Sequence, residues 1–386
     1  MKILYAAIDQ VVPGTKGGSV HVMAVAEGLA ARGHEVHALI TPGRERPRSS
    51  AVDWIPMRPP LGSSHLRLTR SGAIADLAAR LRPDVIMERY HNFGGEAIVT
   101  ANATGAIAVL EVNAPVIDHP GSRKAWLDRA LLVRPMRRWR HRLCSLADVI
   151  VTPNVAVLPP GIPADRVAVL EWGADTDRFQ PGLSIPAPFT RPAVTTLAVF
   201  AGAFRSWHGA IHLVGAIKTL HARGRTDIGA VLIGDGPELP RVRDEASGMA
   251  RILITGVLPH DAMPAALAAS DVGVAPFDLD AHAPLSLGFY WSPLKIFEYM
   301  AAGVPVIAPA SDRLPSLVAH GREGILYDPR NPDGLAAALE QMSDPRLRAS
   351  LGAAARERAV RDYSWSAHCR ALEAAIVQAR ARRRSA

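Results

Sequence analysis

Only two cysteines occur in the 386 residues, Cys144 and Cys369, far apart in sequence and without a set of partners at metal-ligand spacing. Neither a disulfide framework nor a zinc site organises this chain, and both thiols read as buried. Aromatic residues are scarce, at 5%. Nucleic-acid binding calls for a basic stripe interleaved with aromatics or a recognisable reading motif, so the formal net charge of +8 does not point to DNA or RNA. Most of that excess is arginine spread through helical segments, with a run from Arg380 to Arg384 that reads as a solvated tail. No stretch approaches the ~18 uninterrupted apolar residues of a membrane span, and Met1-Lys2 leads straight into a strand-like segment in place of a signal core. The chain is expected in the cytoplasm. What is plentiful is apolar residue, 48% against 21% charged, the balance of a folded protein. The length exceeds what one hydrophobic core fills, so two domains are expected.

The first forty residues read as one unit: a strand from Lys2 to Ile8, a glycine-containing loop Pro13 to Gly18, a helix to about Arg32 and a strand from Glu35 to Ile40. The same order returns with a strand Thr196 to Phe200, a loop Gly202 to Gly209, a helix to about Arg223 and a strand Ala230 to Ile233. Both helices run into Ala-Arg-Gly, with Gly33 and Gly224 where a left-handed residue stops a helix. Further strands are expected at Val85 to Glu88, Ala106 to Val112, Val149 to Thr152, Ile252 to Thr255, Val272 to Ala275 and Val304 to Ile307. Gln180 to Pro192 holds four prolines and reads as a linker. The expected architecture is α/β, two Rossmann-like parallel-sheet domains facing across a cleft. Its divisions are an N-terminal domain 1–180, a linker 181–192, a C-terminal domain 193–363, and 364–386 as a last helix with a basic tail. In such sheets ligands bind beyond the carboxyl ends of the strands.

One helix carries most of the chemistry. Ser292 reads as its N-cap, Pro293 as its first residue and Gly303 as its stop. A capping box would place Glu or Gln three residues after Ser292, yet the sequence has Lys295, a cation at the positive end of the dipole. A diphosphate there would turn that cost into a gain, because free backbone N–H groups and the ammonium would both meet it. Glu298 lies one turn on, where a carboxylate suits two ribose hydroxyls. An ordinary surface Lys/Glu pair is the competing reading.

The chain resembles the family-four retaining glycosyltransferases of the GT-B fold. The resemblance rests on Val199 to Gly202 through Trp207-His208-Gly209, on Leu232 to Pro237, Ile254 to Val257, Ala269 to Phe277 and Ser292 to Ile307. In the first half it rests on Gly17-Gly18-Ser19, Glu111 to Pro115, Gly173-Ala174-Asp175 and Phe179-Gln180-Pro181. It implies a donor held mainly by the second domain: backbone amides of Ser292 to Lys295, Leu294 included, on the diphosphate, Glu298 on the ribose, and main chain near Gly236 and Val257 on the base. Gly17 and Gly18 join the donor side, the first domain is otherwise the acceptor side, the second is the nucleotide-sugar-binding domain, and the last helix crosses back onto the first. Family members present a basic pair after that domain's first strand; here the positions hold Ala203 and His208. Arg205 is the candidate replacement cation, with His208 a candidate phosphate contact and Trp207 a packing residue.

Two further departures concern the sugar. Of two glutamates that many members carry with seven residues between them, Glu298 supplies the second and Tyr290 stands at the first. Where the family often offers a histidine at a strand end of the first domain, Arg89 aligns, with His91 close by and Glu111 and Asn113 on the next strand. Each has the alternative of a satisfied hydrogen bond at a strand end. Asp175-Thr176-Asp177 and Asp278-Leu279-Asp280 match an Asp-x-Asp metal pattern only weakly, so no metal is expected, and Gly234-Asp235-Gly236 lacks the rest of a dinucleotide fingerprint, so no cofactor is expected beyond the nucleotide sugar as co-substrate. The helix Arg134 to Leu146 sets Met136, Trp139, Leu143 and Leu146 on one face and Arg134, Arg138, His141 and Arg142 around it; core packing and peripheral contact with the inner membrane face both suit it. The expected activity is sugar transfer with retention to an unidentified acceptor: a small molecule, glycan or lipid-linked sugar. The alternatives are a sugar-nucleotide epimerase of the same fold and a non-catalytic nucleotide-sugar-binding subunit.

Overall fold

The computed structural model describes residues 1–47, 49–58, 71–92, 94–122, 125–126, 134–183 and 185–385. They form two compact units, one of Met1–Trp172, Tyr290–Ser292 and Trp365–Ala386, the other of Gly173–Phe289 and Pro293–Ser364. The segment read as a linker groups with the second unit. Ala174 N–H donates to the Tyr363 carbonyl at 2.7 Å, and Arg356 Nη1 donates to the carbonyls of Thr176, Phe179 and Ala301, so the chain is anchored before the prolines begin.

In the first unit, β1 (Lys2–Val12), α1 (Gly17–Ala31), β2 (Glu35–Pro42), β3 (Val52–Pro56), α2 (Ser71–Leu81), β4 (Val85–Arg89), α3 (Glu96–Thr104), β5 (Ile107–Glu111), α4 (Arg134–Leu146), β6 (Val149–Thr152) and β7 (Val167–Val169) follow one another. The strands make one sheet in the order β3-β2-β1-β4-β5-β6-β7, every pair parallel. Both faces of β1 are buried, Leu4, Ala6 and Ile8 entering one core and Ile3, Tyr5 and Ala7 the other. That explains its unbroken apolar run. β1 extends beyond the expected Ile8 because, after an irregularity between Ala7 and Val11, Val11 and Val12 resume pairing with Thr41 and Pro42.

The second unit runs β8 (Thr196–Ala201), α5 (Ala210–Ala222), β9 (Ile228–Ile233), α6 (Leu239–Glu245), β10 (Ile252–Gly256), α7 (Met263–Ala268), β11 (Val272–Val274), α8 (Leu294–Ala301), β12 (Val306–Pro309), α9 (Leu314–Leu317), β13 (Gly324–Tyr327), α10 (Gly334–Gln341) and α11 (Pro345–Asp362). Its sheet, also parallel throughout, has the order β10-β9-β8-β11-β12-β13. Gly33 and Gly224 follow α1 and α5 with φ of 82° and 81°.

The last helix, α12 (Trp365–Ser385), packs beside α1 and buries Cys369, Leu372, Ile376 and Ala379 in the first unit's core. Its arginine run is helical and engaged, which corrects the solvated tail. Arg383 pairs with Asp148 at 2.8 Å and donates to the carbonyls of Gly105 and Ala106, while Arg380 meets Asp84 at 3.7 Å. These partners lie just before β4, β5 and β6, so the basic helix end is held by strand-start carboxylates and carbonyls, consistent with the negative end of its dipole. Cys144 and Cys369 are buried and unbridged. In α4, Leu143 and Cys144 face the core, Trp139 Nε1 donates to the Gly94 carbonyl at 2.9 Å, and Arg140, 1% exposed, pairs with Asp118. Arg138 and Arg142 are exposed, whereas the side chains of Arg134 and Met136 lie outside the described residues. Among the described residues no helix is long and apolar enough to cross a membrane.

Candidate functional site

The second unit's site begins with α8. Tyr299 fixes this helix under the first strand: its hydroxyl accepts from the Ala201 N–H at 2.8 Å. Phe297 stacks on Tyr363 with centroids 4.3 Å apart. Lys295, one turn before Tyr299, is thereby carried beneath the loop that follows β8. Its Nζ lies 4.1 Å from the centre of the Phe200 ring and 5.1 Å from that of Phe277. A methyl group built on Gly202 would stand 3.2 Å from the same nitrogen. Enclosed in this way, Nζ has no hydrogen-bond partner among the described residues. Burial pushes its pKa down to about 7, against the pull of Glu298. Glu298, partly buried, is pushed by burial up to about 7, against Arg178 and Lys295.

Ser292 is not the cap of this helix. The cap position falls on Pro293, with no side-chain cap bond. Ser292 Oγ instead donates to Glu171 Oε2 at 2.7 Å and accepts from the Trp172 N–H at 2.9 Å, both within the first unit. Among the described residues, no side chain caps the backbone donors at the helix start. Leu294 is its first residue.

In the loop after β8, His208 Nδ1 lies 2.7 Å from the Ala203 carbonyl oxygen. Burial, and next the Lys295 charge, hold its pKa down to about 3, so the ring is neutral at pH 7. A neutral ring that donates Nδ1–H to a carbonyl carries a lone pair on Nε2, and therefore does not donate to a phosphate oxygen. Arg205 is exposed, its guanidinium 5.6 Å from the Trp207 ring centre, and Trp207 stacks on His282 at 3.9 Å. At the ends of β9 and β10, Gly236 lays its backbone against Phe204, and Val257 is 69% exposed. Both Asp-x-Asp segments spend their first carboxylate on turn amides: Asp175 accepts from Asp177 and Arg178, Asp278 from Asp280 and Ala281. Among the described residues no three His, Cys, Asp or Glu side chains are grouped as metal ligands.

The first unit gathers a second constellation at the carboxyl ends of β1, β4 and β5. Arg89 and Glu111 are register partners on adjacent strands and form an ion pair at 3.2 Å. Arg89 Nε also meets Asp9 Oδ2 at 3.1 Å. Glu111 accepts from the Tyr5 hydroxyl at 2.6 Å and pairs with Asn113 and with His21 Nε2. The His21 ring stacks on Trp172 at 4.3 Å, and Trp172 Nε1 donates to Asn113 Oδ1 at 2.9 Å, closing a ring of contacts. Burial raises the Glu111 pKa, but the His21 and Arg89 charges and the Tyr5 hydroxyl outweigh it and hold the carboxyl well below its ordinary range. Burial lowers His21.

Arg89, Glu111 and Asn113, chosen from the sequence, are therefore brought together, while His91 stands beside them with Nδ1 3.2 Å from the Arg89 carbonyl oxygen. Gly17 and Gly18 open α1, the helix that carries His21, and Gly18 lies against Gln10. Tyr290 packs, partly buried, on the first unit's core and meets Trp291 edge to face at 5.1 Å. Sequence reasoning missed Tyr5, Asp9, His21 and Trp172. The available signals were a histidine inside the apolar run Val20 to Ala26 and an aspartate at the end of β1.

Two parallel-sheet units, each with polar groups gathered at strand carboxyl ends, are the GT-B architecture. Solved structures agree on the fold: a glycosyltransferase from Rickettsia africae superposes with a TM-score of 0.70 at 17% identity over 98% of each chain. A sucrose-phosphate synthase from Thermosynechococcus elongatus gives 0.70 at 18% identity over 100% of this chain and 98% of its own. The family model for glycosyltransferase family 4 matches residues 15–178, and that for glycosyl transferases group 1 matches 195–344. The chain belongs to the family-four glycosyltransferases. A GDP-mannose-dependent α-(1-6)-phosphatidylinositol monomannoside mannosyltransferase of Mycobacterium tuberculosis is 33% identical over 215 residues, 53% of this chain and 54% of that protein. The chain thus spans about half the length of the curated relatives it matches.

Proposed function

We propose that the protein transfers a hexose from a nucleoside-diphosphate sugar to an acceptor hydroxyl with retention at the anomeric carbon, working in the cytoplasm without a metal. The observation that carries this reading is Lys295 at the start of α8, enclosed and without a hydrogen-bond partner among the described residues, with Glu298 one turn further on. Such an amine costs stability unless an anion uses it. The amides of Leu294 and Lys295 and the Lys295 side chain would hold the diphosphate, and Glu298 the ribose hydroxyls. In the reaction the bond from the anomeric carbon to the diphosphate oxygen breaks, the bond to the acceptor oxygen forms on the same face, and the acceptor's hydroxyl proton passes to the leaving diphosphate. Negative charge gathers on the leaving diphosphate, where preorganised amides and Lys295 offset it, with Arg205 as an exposed cation in the Ala203 to His208 loop. The GDP-mannose dependence of the Mycobacterium tuberculosis relative makes GDP-mannose the first donor to try. On the acceptor side, Arg89 and Glu111 with Asn113 present the polar edge of the first unit, and exposed Arg138 and Arg142 give α4 a basic face toward a lipid-borne acceptor.

The test has two parts. Thermal melting with guanosine, uridine and thymidine diphosphates should show a concentration-dependent rise for one of them. With the matching sugar donor, Lys295→Ala should lower turnover by about 10² to 10³. Near-normal turnover in that variant would overturn the assignment.

A further inference from the structure

Lys295 carries a consequence beyond binding. Its ammonium, if present, would have three N–H donors and no acceptor, in a space walled by the Phe200 and Phe277 rings and the Gly202 backbone. The charged and titratable groups that bear on it among the described residues are few. From its own helix comes Glu298, which Arg178 also faces. From the loop above come His208, neutral and donating to a carbonyl, and Arg205 beyond it. Asp278, next to Phe277, is turned to His212 at 3.3 Å. In the free protein, then, the chief opposite charge is one carboxylate a helical turn away, and that is too little to repay drying an ammonium. A diphosphate brings both acceptor oxygens and negative charge.

We propose that binding of a nucleoside diphosphate to the second unit is coupled to uptake of one proton by Lys295, so that the ligand creates the cation that holds it. The proton comes from solvent and joins the amine lone pair; no other bond changes. This rests on the donor-site reading above.

The amine is pushed down to about 7, so at pH 8 about nine-tenths of the free protein carries it neutral. Diphosphate, with its last ionisation near pH 6, is already fully charged at pH 8. Glu298, at about 7, is largely ionised there as well.

Isothermal titration of the full-length protein with guanosine diphosphate and uridine diphosphate at pH 8, in buffers of different ionisation enthalpy, reads the protons exchanged. About 0.9 proton taken up per nucleotide bound is expected. His208→Gln should keep the uptake and Lys295→Met should lose it. Binding with no buffer dependence in the unaltered protein overturns the proton coupling while leaving the donor site standing. Uptake that survives in Lys295→Met assigns the proton to another group and overturns it too. If neither nucleotide binds, the donor-site reading falls first and the coupling with it.

Discussion

Replacing Lys295 by methionine should make the protein more stable, and by an amount that depends on pH. The side chain keeps its length, and the thioether suits a space lined by phenyl rings. The magnitude follows from the amine. Its ordinary pKa is 10.5 and burial brings it to about 7, which at about 1.36 kcal/mol per pH unit caps the strain on the order of 5 kcal/mol. The sign is fixed by proton counting. Between about pH 7 and 10.5 the unfolded chain binds more protons at this residue than the folded one, so the wild-type protein gains stability as pH rises through that window. Below pH 7 the penalty is fully present. Methionine removes it, so urea denaturation should show the variant ahead by several kcal/mol at pH 6 and by roughly half as much at pH 9. An equal difference at the two pH values, or a variant less stable at both, would refute the claim that the enclosed amine is strained. The gain in stability should come with the loss in turnover given above, the exchange expected where a site is built from a destabilised group.

Other perturbations test the remaining features. Glu111→Gln leaves Arg89 with one carboxylate in place of two, and should cost about 3 kcal/mol in denaturant unfolding at pH 7. Because the Glu111 carboxyl is held well below its ordinary range, its contribution is full above about pH 4.5 and lost as pH falls further, so the wild-type stability should drop on acidification more steeply than the variant's. Ser292→Ala removes the hydroxyl that donates to Glu171 and accepts from the Trp172 N–H, and should lower thermal stability by about 1 to 3 kcal/mol. Arg383→Ala releases Asp148 and two carbonyls near the surface; a small loss, about 1 kcal/mol, is expected, with faster tryptic cleavage in the last turns of α12.

The two strand-loop-helix-strand modules were legible because strands buried on both faces write an apolar run, as in Leu4 to Ile8, and because a glycine must follow a helix that turns sharply, as at Gly33 and Gly224. The position of Lys295 was legible too, as a residue of the wrong sign for a capping box. Its enclosure was not, since that depends on Phe200 and Phe277, which lie 95 and 18 residues earlier and reach it only through the sheet. Ser292 misled for a local reason: serine before proline reads as a cap, and nothing nearby in sequence reveals that Glu171 claims its hydroxyl. The His21, Trp172 and Glu111 contacts join residues from three distant segments, so no spacing announces them. At the chain's end, charge run alone suggested solvation, while the carboxylates that bind it precede strands far upstream.

The placement of α12 also orders events during synthesis. Residues 173–289 and 293–364 contain nearly everything the second unit needs, whereas the first unit lacks a wall of its core until Cys369, Leu372, Ile376 and Ala379 arrive. Domains usually mature in the order they leave the ribosome. Here that order is inverted: the half that emerges earliest waits, with Val22, Val25 and Leu29 of α1 uncovered on one side, until translation has passed through the whole of the other half. A nascent chain stalled before residue 365 would present a finished second unit and an apolar surface on the first for chaperones to hold.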